Sequence, residues 1–202
     1  MKLIGNYTSP FVRKISIILL EKGITFEFVN ASPWEADSPV GQFNPLGKVP
    51  ALIDGDDSWF DSAIIADYLE LHNTTPPLLP ADRLQALKVR QLALVADGVA
   101  EAALLIVREQ MRPDAAQSAE QLARQREKIL RGLDRLEQAA GAGQGLNGEA
   151  ITLADIATVC ALGYLNFRRV APGWCASRPQ LVRLAEKMLL RDSVARTAPS
   201  AT

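Results

Sequence analysis

The sequence predicts an α/β domain over residues 1–76 followed by an all-α helical bundle over residues 82–202. Three observations lead there. Short apolar runs alternate with helical patterns through the first third, a proline-rich break follows at Thr74-Thr75-Pro76-Pro77-Leu78-Leu79-Pro80, and beyond it only long helical periodicities occur. Lys2 to Gly5 reads as a strand, turning at Thr8-Ser9-Pro10. Phe11 to Lys22 places Val12, Ile15, Ile18 and Leu19 at helical spacing and stops at Gly23, a natural cap. Thr25 to Val29 is β-prone, so strand, helix and strand make a parallel unit with a right-handed crossover. Ala51 to Ile53 and Ser58 to Phe60 flank the turn formers Asp54-Gly55-Asp56-Asp57 as a hairpin, and Asp61 to His72 follows as a helix.

In the second half, two apolar stripes run along one long helix from Arg83 to Gln110. One holds Leu84, Leu87, Leu94, Gly98, Ala102 and Leu105, the other Leu92, Val95, Val99 and Ile106. Two stripes imply burial on two sides, one against another helix and one against a partner subunit. Arg112-Pro113-Asp114 breaks this helix, and Ala119 to Ala139 forms the next with Leu122, Ile129, Leu133 and Leu136 inward. The glycines of 141–148 have no strand before them and no lysine after, so they read as a linker rather than a phosphate cradle. Thr152-Leu153-Ala154-Asp155 has the form of a capping box, with Ile151 stapled onto Ile156, opening a helix from Leu153 to Phe167. Gln180 to Leu190 makes a last helix, and Ser193 to Thr202 reads as a loose tail.

Composition narrows the function classes. A net charge of −1 with both signs interspersed offers no face for nucleic acid or an anionic membrane. Apolar runs such as Ile15 to Leu20 are too short to span a bilayer, and Asn6, Ser9 and Pro10 interrupt any signal-like core. Cys160 and Cys175 are too few for a disulfide framework and are not spaced for metal, which fits a reducing, cytoplasmic location. The one histidine, His72, sits at a helix end, where basic side chains favour the dipole. Histidine-based triads and zinc hydrolysis are therefore disfavoured.

Three strings in the first domain carry chemistry. In Ser9-Pro10-Phe11-Val12, Pro10 suits the first helical position and Ser9 the cap, with its hydroxyl at the positive end of the helix. A thiol held there is pushed toward thiolate, since a free thiol titrates near ~8.5. Taken alone, Ser9 reads first as a plain capping serine, and only the other two strings turn that reading toward thiol binding. In Asn44-Pro45-Leu46-Gly47-Lys48-Val49-Pro50-Ala51-Leu52, a cis Val49-Pro50 bond would turn the chain and leave the Val49 backbone free to pair with an extended peptide. Asp61-Ser62 opens a helix whose N–H groups and Ser62 hydroxyl can hold a carboxylate, while Asp61 faces an ammonium.

Together these strings resemble the glutathione S-transferase superfamily, and the resemblance covers essentially the whole chain. It implies a thioredoxin-like first domain, a helical second domain, glutathione as co-substrate, no metal, and a cytoplasmic homodimer in detoxification. It further implies that Val49, beside Pro50, pairs with the cysteinyl backbone of glutathione and that Asp61 and Ser62 hold its γ-glutamyl end. Lys48 then neutralises the glycyl carboxylate or is simply solvated. Ser9-Pro10-Phe11-Val12 looks most like the serine-type classes, the plant tau class in particular, and suggests a serine-type bacterial member. Tyr7 becomes wall, with Thr8 a rival hydroxyl. Omega- and beta-like members carry cysteine near this position; here none precedes Cys160, so thiol–disulfide exchange is disfavoured. Candidates for the electrophile pocket are Tyr7, Phe11, Trp34, Arg108, Met111 and Phe167, with Trp174, although each can equally be core. Arg108 and Arg112 would receive an anionic substrate or are solvated helix-end charges, and the resemblance implies Asp97 as a contact across the dimer interface to glutathione's ammonium. The expected activity is attack of a Ser9-stabilised glutathione thiolate on a small alkyl or aryl electrophile. A glutathione-dependent peroxidase or isomerase, and a non-catalytic glutathione-binding or interaction protein, are the alternatives.

Overall fold

β1 (Lys2–Gly5), β2 (Glu27–Asn30), β3 (Ala51–Asp54) and β4 (Asp57–Phe60) form one sheet in the order β2-β1-β3-β4. The computed structural model describes residues 1–141, 146, 148 and 150–199 of the 202. They fall into two units: Met1–Leu78 with the segment from Arg191 onward, and Leu79–Leu190.

In the first unit β2 runs parallel to β1, joined by α1 (Pro10–Glu21), while β3 and β4 are antiparallel to their neighbours. This is the thioredoxin-like arrangement expected. The pleat sends alternate side chains to opposite faces. Ile4 and Ala51 pack with Val40 of a short helix, α2 (Val40–Phe43), that the sequence pattern does not announce. Leu3 and Leu52, also fully buried, point to the other face. α1 and α3 (Ser62–His72) pack against each other. From α1, Val12, Ile15, Ile18 and Leu19 are all buried, each worth ~1.5–3 kcal/mol relative to exposure. Gly5 permits this close packing, because a Cβ there would overlap Val12 Cγ1 and Cγ2. β2 begins at Glu27, two residues later than expected, and α3 begins at Ser62 because Asp61 is its cap.

The C-terminal segment departs from expectation. Within Ser193 to Thr202, expected as a loose tail of the helical domain, the residues through Arg196 belong to α8 (Asp192–Arg196), which docks on α1 in the first unit. Val194 is buried, and Arg13 donates to the Val194 carbonyl at 3.0 Å and the Thr197 hydroxyl at 3.4 Å. Arg191 grips Glu21 with two bonds of 2.8 and 2.6 Å, and the Ser193 hydroxyl also donates to Glu21. These contacts hold the Glu21 carboxyl below its usual range, chiefly through the Arg191 hydrogen bonds against the opposing effect of burial. The same pairing raises the Arg191 guanidinium.

The second unit is helical: α4 (Arg83–Gln110), α5 (Ala119–Ala140), α6 (Leu153–Arg168) and α7 (Pro179–Leu189), with a 3-10 turn at Asp114–Ala116. α4 packs on α5 and α6 through small side chains, among them Ala93, Ala96, Ala100 and Ala103. Gly132 of α5 belongs to this contact, since a Cβ there would overlap Val99 Cγ2. The two stripes on α4 part company. Leu92, Val99 and Ile106 are buried and Ala102 joins them, whereas Leu84, Leu87, Leu94 and Gly98 are exposed.

The capping box forms at α6: the buried Asp155 carboxylate accepts from the Thr152 N–H and hydroxyl at 2.8 and 2.7 Å and from Leu146 N–H at 2.8 Å. α7 has no side-chain cap at its own N-cap residue, Arg178. Glu137 of α5 takes the N–H groups of Gln180 and Leu181 at 2.9 and 2.8 Å, and Asp134 pairs with Arg178 at 2.6 Å. The glycine-rich 141–148 stretch lies largely outside the described residues. Among the described residues no helix is long and apolar enough to cross a membrane.

Candidate functional site

Sheet register gathers the three strings. Ile4, Ala51 and Phe60 form one row across β1, β3 and β4. β1 leaves that row through Gly5 toward Ser9, β3 enters it directly after Val49-Pro50, and β4 leaves it into Asp61-Ser62. Because neighbouring strands lie about 4.8 Å apart, all three loops emerge within about 10 Å of lateral spread at one end of the sheet.

Ser9 caps α1, and its oxygen accepts from Val12 N–H at 3.3 Å. This uses an acceptor lone pair and leaves the hydroxyl hydrogen able to donate. The rival hydroxyl, Thr8, donates instead to Asn6 Oδ1 at 3.1 Å. Tyr7 stacks on Phe28 of β2 with ring centroids 4.7 Å apart, and Phe11 is half-buried on the first turn of α1. Trp34 is exposed in the loop after β2.

The Val49-Pro50 bond is cis, as expected, with Val49 half-buried and Lys48 exposed. Two part-buried bonds of the Asn44 side chain organise the loop before it: Oδ1 accepts from Leu46 N–H and Nδ2 donates to the Lys48 carbonyl. The role of Asn44 is not evident from the Asn44-to-Leu52 string itself. The available signal was the habit of Asn to bond backbone two residues on and nucleate a turn.

Asp61 has φ +62° and caps α3 by accepting from Ala63 N–H at 2.8 Å. A non-glycine residue held at positive φ is uncommon and marks a constrained position. Asp61 is exposed and Ser62 is buried. Thus two helix N-termini, those of α1 and α3, open at the end of the sheet where the cis-proline loop lies. Each presents the positive end of a helix dipole, which suits an anion.

The remaining candidates belong to the second unit. Arg108 and Met111 are exposed at the end of α4, and Asp97 is half-buried along it. Arg112 pairs with Glu109 at 3.6 Å. Phe167 is half-buried with the Arg168 guanidinium 4.7 Å above its ring. Trp174 is core: buried, it donates to Asn166 Oδ1 at 2.7 Å. Tyr164 is also buried, which pushes its phenol up against the opposing Arg168 charge. Among the described residues no group of His, Cys, Asp and Glu could hold a metal ion.

A second cluster stands behind the hairpin. Tyr68 stacks on Trp59 at 4.4 Å and donates to Asp54 at 2.5 Å, which together with burial pushes its phenol up to about 12. His72 lies 3.9 Å from the same carboxylate, so the expected helix-end histidine also faces Asp54.

Residues 3–77 match the model of the glutathione S-transferase N-terminal domain, and residues 119–186 that of the glutathione S-transferase C-terminal domain. The uncharacterized GST-like protein YibF of Escherichia coli is 58% identical over 200 residues, spanning 98% of both chains. A glutathione S-transferase from Methylobacterium radiotolerans, solved with glutathione sulfonate, is 38% identical with TM-score 0.95, covering 100% of this chain and 95% of that one. A bacterial zeta-class maleylpyruvate isomerase superposes with TM-score 0.83 at 25% identity, covering 100% and 98%. With both halves matched and this whole-length similarity, the chain belongs to the glutathione S-transferase family.

Proposed function

We propose that the protein is a glutathione transferase in which Ser9 stabilises the glutathione thiolate for attack on an alkyl or aryl electrophile. The observation that carries this reading is the convergence of the Ser9, Val49-Pro50 and Asp61-Ser62 loops at one end of the sheet. The backbone of Val49 pairs with the cysteinyl unit in the manner of an added strand. The α3 N-terminus and Ser62 take the γ-glutamyl carboxylate, Asp61 faces its ammonium, and Lys48 meets the glycyl carboxylate. The Ser9 hydroxyl then donates to sulfur at the positive end of α1. Lowering a thiol pKa by two units from ~8.5 raises the thiolate share at pH 7 from about 3% to about 75%. The chemistry is activation of a bound nucleophile together with proximity. Tyr7, Phe11 and Trp34, beside Ser9 and on the loop after β2, contribute electrophile contacts from the first unit.

A homodimer belongs to this reading. The exposed Leu84, Leu87 and Leu94 stripe on α4 is unburied within one chain and suits a second copy, with Asp97 of the same helix reaching across to the ammonium of the glutathione held there. Cys160 and Cys175 are not joined in a disulfide, which suits a reducing cytoplasm.

Ser9→Ala tests the assignment. Conjugation should fall about tenfold or more while glutathione affinity stays nearly constant, each lost pKa unit costing about 1.4 kcal/mol. Wild-type turnover by Ser9→Ala across a broad electrophile panel would remove Ser9 from the mechanism. The zeta-class relative supports a second reading, glutathione-dependent isomerisation at the same site. Isomerisation of a maleyl compound without net consumption of glutathione would select it. Turnover of an organic hydroperoxide would select the peroxidase, and binding with no turnover a non-catalytic role.

A further inference from the structure

Asn44 is only 2% exposed, in a loop whose next four residues, Pro45 to Lys48, are all exposed. A buried side-chain amide is costly unless both its ends are bonded. Here both are: Oδ1 accepts from Leu46 N–H at 2.9 Å, and Nδ2 donates to the Lys48 carbonyl at 2.8 Å. The Asn44 carbonyl also takes Gly47 N–H at 2.8 Å, closing a turn with Pro45 in its second position. Asn44 N–H caps α2 by donating to Val40 at 2.9 Å. One residue thereby ends α2 and fixes both sides of the following loop.

The consequence lies one peptide further on. The Lys48–Val49 bond is trans, so its C=O and N–H point in opposite directions. Holding the Lys48 carbonyl inward on Asn44 aims the Val49 N–H outward. We infer that Asn44 is the positioning residue for Val49, presenting its N–H to a carbonyl of an extended peptide ligand. This rests on the glutathione reading of the Val49 loop and adds the side chain that orients it.

Asn44→Asp keeps the shape and the acceptor for Leu46 but replaces the Nδ2 donor with an oxygen that repels the Lys48 carbonyl. Asn44→Ser keeps an acceptor and is too short to reach Lys48, so it serves if the Asp variant does not fold. Calorimetry of the full chain with S-methylglutathione, which has no free thiol, should show Kd rising about tenfold in each, as expected for one lost neutral hydrogen bond. The ionisation of bound glutathione, read from thiolate absorbance against pH, should stay at its wild-type position because Ser9 and α1 are untouched. A general loosening of the domain would move both. A Kd within about twofold of wild type, or a thiol shift matching the affinity loss, overturns the inference. A wild-type scalar coupling between Asn44 Nδ2 and the Lys48 carbonyl carbon is expected by NMR, and its absence overturns the inference without any variant. If the wild type itself does not bind, the glutathione reading falls and carries this one with it. Wild-type binding with unchanged variants sinks this inference alone.

Discussion

Replacing Lys22 by Met keeps most of the stem volume and deletes an ammonium that has no contact with water. The Lys22 side chain is 0% exposed and meets Glu70, itself only 15% exposed, at 2.6 Å. It also donates to the Asn73 and Pro76 carbonyls at 2.7 and 2.9 Å, so its three donors tie the end of α1 to the end of α3 and to the segment that follows. After the substitution Glu70 is left with the long Leu78 N–H bonds of 3.3 Å among the described residues, and two carbonyls lose the Lys22 donor. Breaking one side of a buried ion pair costs about 3–5 kcal/mol. For a chain of this size ~1 kcal/mol moves Tm by about 2–4 °C, so Lys22→Met should lower Tm by on the order of 10 °C. Lys22→Met with Glu70→Gln should recover part of the loss, since the orphaned charge goes while an acceptor for Leu78 stays. Calorimetric melting of wild type, the single variants and the double variant forms the cycle. A fall below about 2 °C in Lys22→Met, or no recovery in the double variant, would refute the reasoning: water would then be standing in for the ammonium.

Two pH-dependent outcomes follow from the other polar clusters. Tyr68 should ionise near 12 instead of the ordinary 10, and Asp54→Asn should bring it back toward 10 in a phenolate-absorbance titration. Because its folded value is raised, the stability it contributes is present below pH 10 and is lost as pH climbs toward about 12; a high step that survives Asp54→Asn would exclude the hydrogen bond as its cause. Glu21 has the opposite sign: its folded value is depressed below 4.5, so its contribution is present above that pH and is lost as pH falls through the depressed value. Arg191→Gln should therefore cost about 1 kcal/mol or less at pH 7, with the gap to wild type closing on acidification below about 4.5; a gap independent of pH in melting curves would contradict this.

Sequence by itself determined the periodic and the punctuated parts of this protein. Helical spacing in Val12, Ile15 and Ile18, and the long run of α4, marked helices because burial of one face repeats every turn. Ser9-Pro10 marked the start of α1 and Thr152…Asp155 the start of α6, because caps are bonds between residues three apart and can be read locally. Tertiary structure decided whatever depends on partners distant in sequence. α2 is too short for a period, and α8 holds its place through Arg13 and Glu21, more than 165 residues earlier in the chain. Lys22 entered the sequence pattern only as the end of the α1 run; its role comes from Glu70, Asn73 and Pro76, which close around it. The stripes on α4 were legible, but only packing decided that Val99 faces inward and Leu94 outward. The site divides along the same line. Its residue types were legible as three short strings, while their meeting at one end of the sheet is a matter of register, set by hydrogen bonds between β1, β3 and β4 that no local pattern encodes.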